Sequence, residues 1–396
     1  MKMFLLTVVF PLLTCAKEWA YSQDPDAKAG VLIGVGASSL NGADLAASAM
    51  GDNGIGAEIS IYSGGAWERD AANTGMLLDS AIMPSGEVMC PGLGNVVYAN
   101  TTGSPYTTLD LGYFVTSQSA NVIEATGSFA LVGQFVEKST KKQSNGVMIL
   151  SSQGDVQGCY DVGVPSTNLA RYGAFPTADT WYITSGMWDT DDEEKNEATK
   201  NGKKKLTRQV SLNNDQKLDF NRSPKPLKKS TATDSDTGWY MTISKTTDGG
   251  NTFTTVYSSP ADSYYYPNGV SCADENHCVV AAEGYDSDGT PQVWAFLTQD
   301  GGATWTDTLT KGVGELGLMA ANFISADEAW LGGFGVDGHT YEGHFWHSTD
   351  GGLSWELGDA LDNCLVLDMD FDSTTGTGYA ACVPPSGAAG TIAMYA

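Results

Sequence analysis

The most constraining feature of the sequence is an eight-residue segment that occurs three times in its second half. It reads Thr-Thr-Asp-Gly-Gly-Asn-Thr-Phe at 246–253, Thr-Gln-Asp-Gly-Gly-Ala-Thr-Trp at 298–305 and Ser-Thr-Asp-Gly-Gly-Leu-Ser-Trp at 348–355. We name these segments the Asp-Gly-Gly turns. Adjacent glycines supply the positive φ of a tight hairpin turn, and a short acidic side chain accepts hydrogen bonds from the amides of its own turn. Their even spacing predicts a repeating unit of about 40 to 50 residues.

The pattern of these turns resembles the Asp-box, or BNR, repeat, which reads Ser/Thr-x-Asp-x-Gly-x-Thr-Trp/Phe. The resemblance implies that the matching residues build the turn and take no part in catalysis. These residues are Thr246, Asp248, Gly250, Thr252, Phe253, Thr298, Asp300, Gly302, Thr304, Trp305, Ser348, Asp350, Gly352, Ser354 and Trp355.

A second element recurs between the turns: a hydrophobic strand, a polar turn and a strand of small residues. It occurs at 81–90, 122–133, 174–185, 270–282, 322–333 and 369–382, and the earliest unit begins at 31–36. Imperfect turns occur at 62–67, 100–103 and 151–154. Short strands at this spacing, without an amphipathic helical run, are typical of an all-β fold. We therefore predict a single β-propeller of about seven four-stranded blades over residues 25–396, with six or eight blades as alternatives.

The ends of the chain carry two further predictions. Met1-Lys2-Met3 precedes an apolar run and small residues at 14 and 16, which is typical of a signal peptide over 1–16. Acylation of Cys15 is the weaker alternative. No later stretch approaches the roughly 20 apolar residues of a membrane span, so we expect a secreted or lumenal protein. Strands near Val31 and Ile392 are expected to complete one shared blade.

Six cysteines remain after the predicted leader, an even number that favours disulfides in an oxidising compartment. Cys272 and Cys278 flank a short turn between two strands and are the best candidate pair. Cys364 and Cys382 are the second pair by the same reasoning. The alternative for either pair is a reduced, buried state, and the connectivity of Cys90 and Cys159 stays open.

The charge is strongly acidic, with 47 acids, 21 bases and a net charge of -26. Such a surface repels phosphate backbones, which argues against nucleic acid as a partner. Eleven of the bases fall in the polar stretch 189–236, which has too few apolar residues to order itself. We predict that 189–236 is a disordered insertion between two strands of one blade, either a solvated loop or a basic docking or processing segment.

Catalytic residues do not emerge from the sequence. Sialidases, the best-known enzymes with this repeat, need three arginines to hold a carboxylate. Only Arg69, Arg171, Arg208 and Arg222 are present, and the last two lie in the insertion. A glycoside hydrolase needs two carboxylates at a set spacing, but 37 acids outside the insertion offer no unique pair. No catalytic residue and no cofactor is therefore assigned.

Three weaker site candidates remain. Asp368, Asp370 and Asp372 alternate on a strand, which hints at a cation, but the glycine and distal glutamate of a calcium loop are missing; no metal is assigned. His339, His344 and His347 do not suggest a zinc site, because strand residues three apart face opposite sides. The rings of Tyr264, Tyr265 and Tyr266, read as part of a connection, are candidates for stacking on a sugar or peptide.

The turns, the paired strands and the blade count together resemble the photosystem II stability/assembly factor family over about residues 30 to 395. The resemblance implies a non-catalytic binding or assembly scaffold that holds a protein or glycan ligand on one face of the ring, as a monomer. That family uses a basic patch, whereas this body is acidic and has few arginines. The alternative function is a glycoside hydrolase with paired carboxylates on the same face.

Overall fold

The computed structural model describes residues 17–22, 31–40, 43–51, 57–72, 76–100, 104–164, 168–187, 240–260, 263–286, 288–358, 360–385 and 390–396. All regular structure within these ranges is β-strand. No helix in this part of the chain is long and apolar enough to cross a membrane. The predicted signal peptide (1–16) and the predicted insertion (189–236) lie outside the described residues.

The strands are short and follow one another along the whole chain. The first half contains β1 (Trp19–Ser22), β2 (Val31–Leu40), β3 (Ala43–Gly51), β4 (Ala57–Ser63), β5 (Ala66–Ala72), β6 (Ala81–Ile82), β7 (Val88–Pro91), β8 (Val96–Ala99), β9 (Thr107–Thr108), β10 (Tyr113–Ile123), β11 (Ser128–Glu137), β12 (Gln143–Ser151), β13 (Val156–Asp161), β14 (Leu169–Ala174) and β15 (Trp181–Met187). The second half contains β16 (Tyr240–Thr246), β17 (Thr254–Ser258), β18 (Tyr264–Cys272), β19 (Cys278–Tyr285), β20 (Pro291–Thr298), β21 (Thr306–Lys311), β22 (Glu315–Phe323), β23 (Ala329–Asp337), β24 (Thr340–Ser348), β25 (Glu356–Leu357), β26 (Leu361–Asp362), β27 (Leu365–Asp372), β28 (Thr377–Val383) and β29 (Thr391–Tyr395).

These strands form seven separate antiparallel sheets within the described residues. Five sheets take four consecutive strands each: β2 to β5, β6 to β9, β10 to β13, β14 to β17 and β18 to β21. A sixth runs from β22 to β25, with the short β26 also paired to β24. The seventh has the order β27, β28, β29, β1. The first strands of neighbouring sheets contact one another in a closed cycle, and all of them line one central cavity. The prediction of an all-β propeller is confirmed.

Ring closure differs from the prediction. Ile392 on β29 pairs with Ser22 on β1, and Val31 instead begins the first strand of the next sheet. Trp19 anchors the closing strand, because its ring stacks on Phe345 with a centroid distance of 4.2 Å and lies in the core cluster of the last two sheets. The strand Trp19–Ser22 lies before residue 25, the predicted start of the propeller, yet it belongs to the last sheet.

The two recurring elements occupy fixed places in the sheets. The strand pairs found in the sequence are the hairpins between first and second strands, such as β18 with β19 and β22 with β23. The Asp-Gly-Gly turns join third and fourth strands, after β16, β20 and β24. The imperfect turns at 62–67 and 151–154 have the same place, after β4 and β12. Both kinds of turn therefore lie at the same face of the ring, which we name the turn face.

The opposite face, named the open face, carries the connections from second to third strands and from each sheet to the next. The connection from β15 to β16 spans 188–239, and its ends meet where Met187 pairs with Tyr240. The two strands that flank the predicted insertion therefore do lie side by side in one sheet.

Candidate functional site

The turn face is built from hydrogen bonds that repeat in each of the three Asp-Gly-Gly turns. In the second turn, the Asp300 carboxylate accepts from the Thr304 amide at 2.8 Å and from the Thr304 hydroxyl at 2.6 Å. The Thr298 hydroxyl donates to Asp300 at 3.0 Å and accepts from the Gly302 amide at 2.8 Å. The first and third turns make the same bonds. Both glycines of each turn have positive φ.

Neighbouring sheets are also hydrogen-bonded to each other at the turn face. The Lys245 ammonium donates to the carbonyl oxygen of Gly301 in the next sheet at 2.8 Å. His277 Nε2 lies 2.7 Å from the carbonyl oxygen of Gly351, and the Tyr98 hydroxyl donates to the Ser152 carbonyl at 2.8 Å. Turn residues are thus bonded to their own sheet and to a neighbour, which fits a structural role.

The central channel is the second region with functional potential. It encloses a cavity of about 350 Å³ to which all seven first strands contribute. In six of these first strands, the pairing with the second strand of the same sheet shifts register by one residue. The skipped residues lie at a similar place in each strand: 33, 118, 171, 268, 319 and 367. An extra residue in one strand bends it and redirects its side chains. The bulges therefore set which side chains enter the channel.

Three aspartates line this cavity, and each bonds to main-chain amides. Asp79 accepts from the amides of Ser80 at 2.7 Å and of Ala120, on β10, at 2.6 Å. Asp368 accepts from Val35, on β2, at 2.8 Å, and from Met369 at 2.9 Å.

Asp370 also accepts a main-chain hydrogen bond from a neighbouring sheet. It accepts from Ala37 at 2.8 Å and from the Asn322 side-chain amide at 3.0 Å. Together, these carboxyl groups join the first strands of neighbouring sheets across the ring-closing region.

Close packing of backbone accompanies these bonds. A Cβ added to Gly34 on β2 would lie 2.4 Å from the Cα of Asp79. Only glycine permits this approach, which brings Asp79 within reach of Asp368 on the far side of β2, where the two carboxyl groups are hydrogen-bonded.

Electrostatics distinguish these carboxyl groups from ordinary surface acids. Burial, then the charge of Asp368, raises the pKa of Asp79 well above its usual range. Burial raises the pKa of Asp368 to about 6 and that of Asp370 to about 7. Burial also raises the pKa of Glu283, which is hydrogen-bonded to the bulged Asn268, to about 7. The channel aspartates therefore keep their protons to a higher pH than ordinary surface acids do.

This arrangement limits the chemistry of the channel. Glycosidases place their two carboxyl groups about 5 to 10 Å apart, so that the scissile bond fits between them. Asp79 and Asp368 instead contact each other directly, and their oxygens accept main-chain bonds. Within the described residues, no group of three or more His, Cys, Asp or Glu side chains is arranged to hold a metal ion.

The three alternating aspartates do not act as one set. Asp368 and Asp370 line the cavity. Asp372 is buried at the start of the following turn, where it accepts from the Thr374 amide at 2.8 Å and the Thr375 hydroxyl at 3.1 Å. Sequence spacing singled out two of the channel acids, but Asp79 carried no local signal, because its partner Ala120 is 41 residues away.

The tyrosine prediction needs correction. Tyr264, Tyr265 and Tyr266 do not lie in a connection: they form the start of the first strand β18. Tyr265 and Tyr266 are buried, and the Tyr265 hydroxyl lies 2.6 Å from that of Tyr257. Tyr265 and Tyr266 are thus adjacent buried residues of a first strand and Tyr264 is half-buried, so these rings do not form an exposed stacking platform.

The histidines have separate partners. His344 is buried with its Nδ1 at 2.9 Å from Glu315. His347 stacks on Trp330 and its Nε2 lies 3.0 Å from Glu328. The arginines are equally dispersed: of the four, Arg69 lies on β5 and Arg171 on β14, where it stacks over Tyr266 at 5.3 Å. Arg208 and Arg222 lie outside the described residues.

Both predicted cysteine pairs are at bonding distance. Cys272 and Cys278 have their sulfurs 2.06 Å apart and link the first hairpin of the sheet β18 to β21. Cys364 and Cys382 have theirs 2.10 Å apart and link β28 to the residue before β27. Cys90 and Cys159 are unpaired, the first fully buried.

Comparisons with known proteins bear on the fold alone. No protein-family model matches the sequence, and no curated protein sequence matches it. Among solved structures, YCF48 from Cyanidioschyzon merolae is similar with a TM-score of 0.54 at 8% identity, covering 95% of this chain and 98% of that one. A polysaccharide lyase of family PL25, an ulvan lyase, is similar with a TM-score of 0.55 at 10% identity, covering 92% and 93%. The same lyase bound to -[GlcA(1-4)Rha3S]- gives 0.54 at 11% identity, covering 93% of each chain.

Proposed function

We propose that this chain is a non-catalytic binding or assembly scaffold, secreted or lumenal and monomeric. In this proposal its seven sheets are the seven blades of one propeller, and a protein or glycan ligand binds the open face. The observation that carries it is the state of the channel carboxyl groups. The oxygens of Asp79 and Asp368 accept main-chain bonds and the two groups contact each other, so they hold the ring together instead of facing a substrate.

The choice of face follows from where the hydrogen bonds go. The second and third Asp-Gly-Gly turns are bonded both within their own sheets and to a neighbouring sheet. The open face carries the varied connections, and connecting segments on a rigid framework are the usual place for binding residues. The two predicted disulfides and the predicted leader fit an oxidising compartment. The acidic charge argues against nucleic acid.

A second candidate function is polysaccharide cleavage. It is favoured by one observation: paired channel carboxyl groups with raised pKa values, of the kind that general acids use. The likeness to a polysaccharide lyase concerns the fold, and the same fold also occurs in YCF48.

Two assays separate these functions. The purified protein is screened against glycan and peptide arrays, and against chromogenic glycosides and uronate-containing polysaccharides for release of cleaved product. We expect binding without turnover. Turnover that is abolished by Asp79→Asn or Asp368→Asn, while both variants stay folded, would replace the scaffold with the enzyme.

A further inference from the structure

An exposed aromatic ring surrounded by lysines stands out on the open face. Phe114, near the start of β10, is 52% exposed. Lys138 Nζ and Lys141 Nζ lie 5.5 Å and 5.7 Å from the centre of its ring. These lysines and Lys142 belong to the connection between β11 and β12, and they are three of only ten basic residues outside 189–236. Three lysines of an otherwise acidic body therefore lie in one short connection, near the carboxylates of Asp110 and Glu137.

A groove lies between the sheet β6 to β9 and the sheet β10 to β13, and Lys138, whose Nζ is near the Phe114 ring, also lines it. Its volume is about 200 Å³, and Asn95, Thr108, Asp110 and Lys138 contribute polar groups to its lining. This is below the roughly 300 Å³ at which pockets hold a whole small ligand. The groove therefore suits one unit of a longer chain.

The walls of the groove are fixed by main-chain hydrogen bonds. The amide of Gly94 donates to Val115 at 2.6 Å, that of Lys138 to Gly112 at 2.8 Å and that of Leu109 to Val96 at 2.9 Å. A site that is formed before binding loses less conformational entropy when a ligand arrives.

The charges around the groove decide the class of ligand. Lys138 Nζ lies 2.7 Å from Asp110, and its hydrogen bond lowers the pKa of Asp110. The pair offers both a donor and an ionised acceptor, which hydroxyl groups can use together. An acidic peptide has no such donors in its side chains and meets the negative charge of Asp110. Lys141 and Lys142 lie exposed in the same connection, where Lys142 also interacts with Glu137, and both ammonium groups can contact a ligand carboxylate.

The geometry points to a uronic-acid-containing polysaccharide as the ligand. We name Phe114, Lys138, Lys141, Lys142 and the groove the Phe114 surface. One sugar ring packs on Phe114, the hydroxyl groups of a neighbouring unit bond to Asp110 and Lys138, and a carboxylate contacts Lys141 and Lys142. This assignment rests on the proposed scaffold function and specifies its ligand.

The test compares two forms of one polymer, polygalacturonate and its methyl ester, which share a backbone and differ in charge. Calorimetry measures the affinity of each for the native protein, for Phe114→Ala and for the double variant Lys141→Asn/Lys142→Gln. Asparagine suits position 141, because Lys141 has a φ of 62° and asparagine tolerates that region. Lys311→Gln is the matched control, since Lys311 Nζ lies 5.8 Å from the centre of the Trp346 ring.

We expect Phe114→Ala to weaken the binding of both polymers about ten-fold, as loss of an aromatic anchor does. The native protein should prefer the acid form about five-fold, the scale of an exposed ion pair, and the double variant should lose that preference. Lys311→Gln should change neither. Equal affinity of the native protein for the two polymers would overturn the assignment. So would a Phe114→Ala variant that binds both polymers with native affinity and has the melting temperature of the native protein. Tighter binding of poly-glutamate, lost in the same variants, would also overturn it, in favour of an acidic peptide.

The outcomes for this surface and for the scaffold are distinguishable. If the native protein binds an array ligand that none of these variants affects, the Phe114 surface is wrong while the scaffold stands. If the protein cleaves polygalacturonate, the scaffold function itself is wrong, whatever the variants do.

Discussion

Aspartate serves two opposite purposes in the two regions of this molecule. On the turn face, Asp248, Asp300 and Asp350 each accept several hydrogen bonds, which lower their pKa values. The bonds from the hydroxyls of Thr252, Thr304 and Ser354 make the largest contribution. In the channel, Asp79, Asp368 and Asp370 also accept hydrogen bonds, yet their pKa values are raised because burial outweighs those bonds. The number of hydrogen bonds does not decide the charge state, but access to water does.

The comparison predicts the largest effect for loss of a channel aspartate. Asp79→Ala leaves the buried amide of Ala120 without its acceptor and removes the bond to Asp368, and an unsatisfied buried donor costs about 1 to 3 kcal/mol on top of the lost bonds. We expect the free energy of unfolding to fall by about 3 kcal/mol, as measured by urea titration. Asp79→Asn keeps the acceptor and should be much milder at pH 5. Equal losses in the two variants would show that packing, and not the hydrogen bonds, carries the effect.

The second prediction concerns pH. A carboxyl group with a raised folded-state pKa binds its proton more tightly when folded, so its stabilising contribution is complete below about pH 4 and disappears as the pH rises through the folded value. For Asp368 and Asp370 that loss extends to about 6 and about 7. The turn aspartates act in the opposite sense, since their lowered pKa values stabilise the fold above about pH 4 and cease to do so below it.

Stability should therefore be highest near pH 5 and fall towards pH 8, by about 3 kcal/mol as an order of magnitude. Urea titrations at pH 5, 6.5 and 8 measure this, and Asp368→Asn with Asp370→Asn should flatten the profile between them. A native profile that rises from pH 5 to pH 8 would contradict the raised pKa values.

The third prediction uses two adjacent glycines of one Asp-Gly-Gly turn as a matched pair. Gly249 and Gly250 have φ values of 65° and 88°, so alanine is strained at both, by about 1 kcal/mol. A Cβ on Gly250 would in addition lie 2.5 Å from the Trp181 ring, whereas one on Gly249 meets nothing closer than 3.5 Å. Gly250→Ala should therefore lose about 1 to 3 kcal/mol more than Gly249→Ala. Similar melting temperatures would mean that Trp181 moves aside without cost.

Much of the turn face could be predicted from sequence, because its determinants are local. The aspartate, the glycines and the hydroxyls of each turn bond to residues two to four positions away, so the pattern is visible in eight letters. The hairpins of first and second strands were visible for the same reason, and Cys272 lies only six residues from Cys278.

The channel could not be predicted, because its determinants are distant in the chain. Asp368 bonds to Val35 from 333 positions away, and a bulge leaves no pattern in the residues beside it. The same limit explains Tyr265 and Tyr266: whether a tyrosine run is a buried first strand or an exposed connection depends on the neighbouring sheet. The closing strand Trp19–Ser22 has its partner at the other end of the chain.

The smallest predicted effect isolates a single hydroxyl on the turn face. Thr298 is buried and its hydroxyl bonds to both Asp300 and the Gly302 amide. Thr298→Val keeps the shape and β-branching while removing both bonds, and should lower the free energy of unfolding by about 1 to 2 kcal/mol. Thr308→Val, at a hydroxyl that accepts one bond from Trp355 at 3.0 Å, is the control and should cost less. If both substitutions lower the free energy of unfolding as much as Asp79→Ala does, the turn face stabilises the fold as strongly as the channel does. The two sets of aspartates would then differ only in their charge.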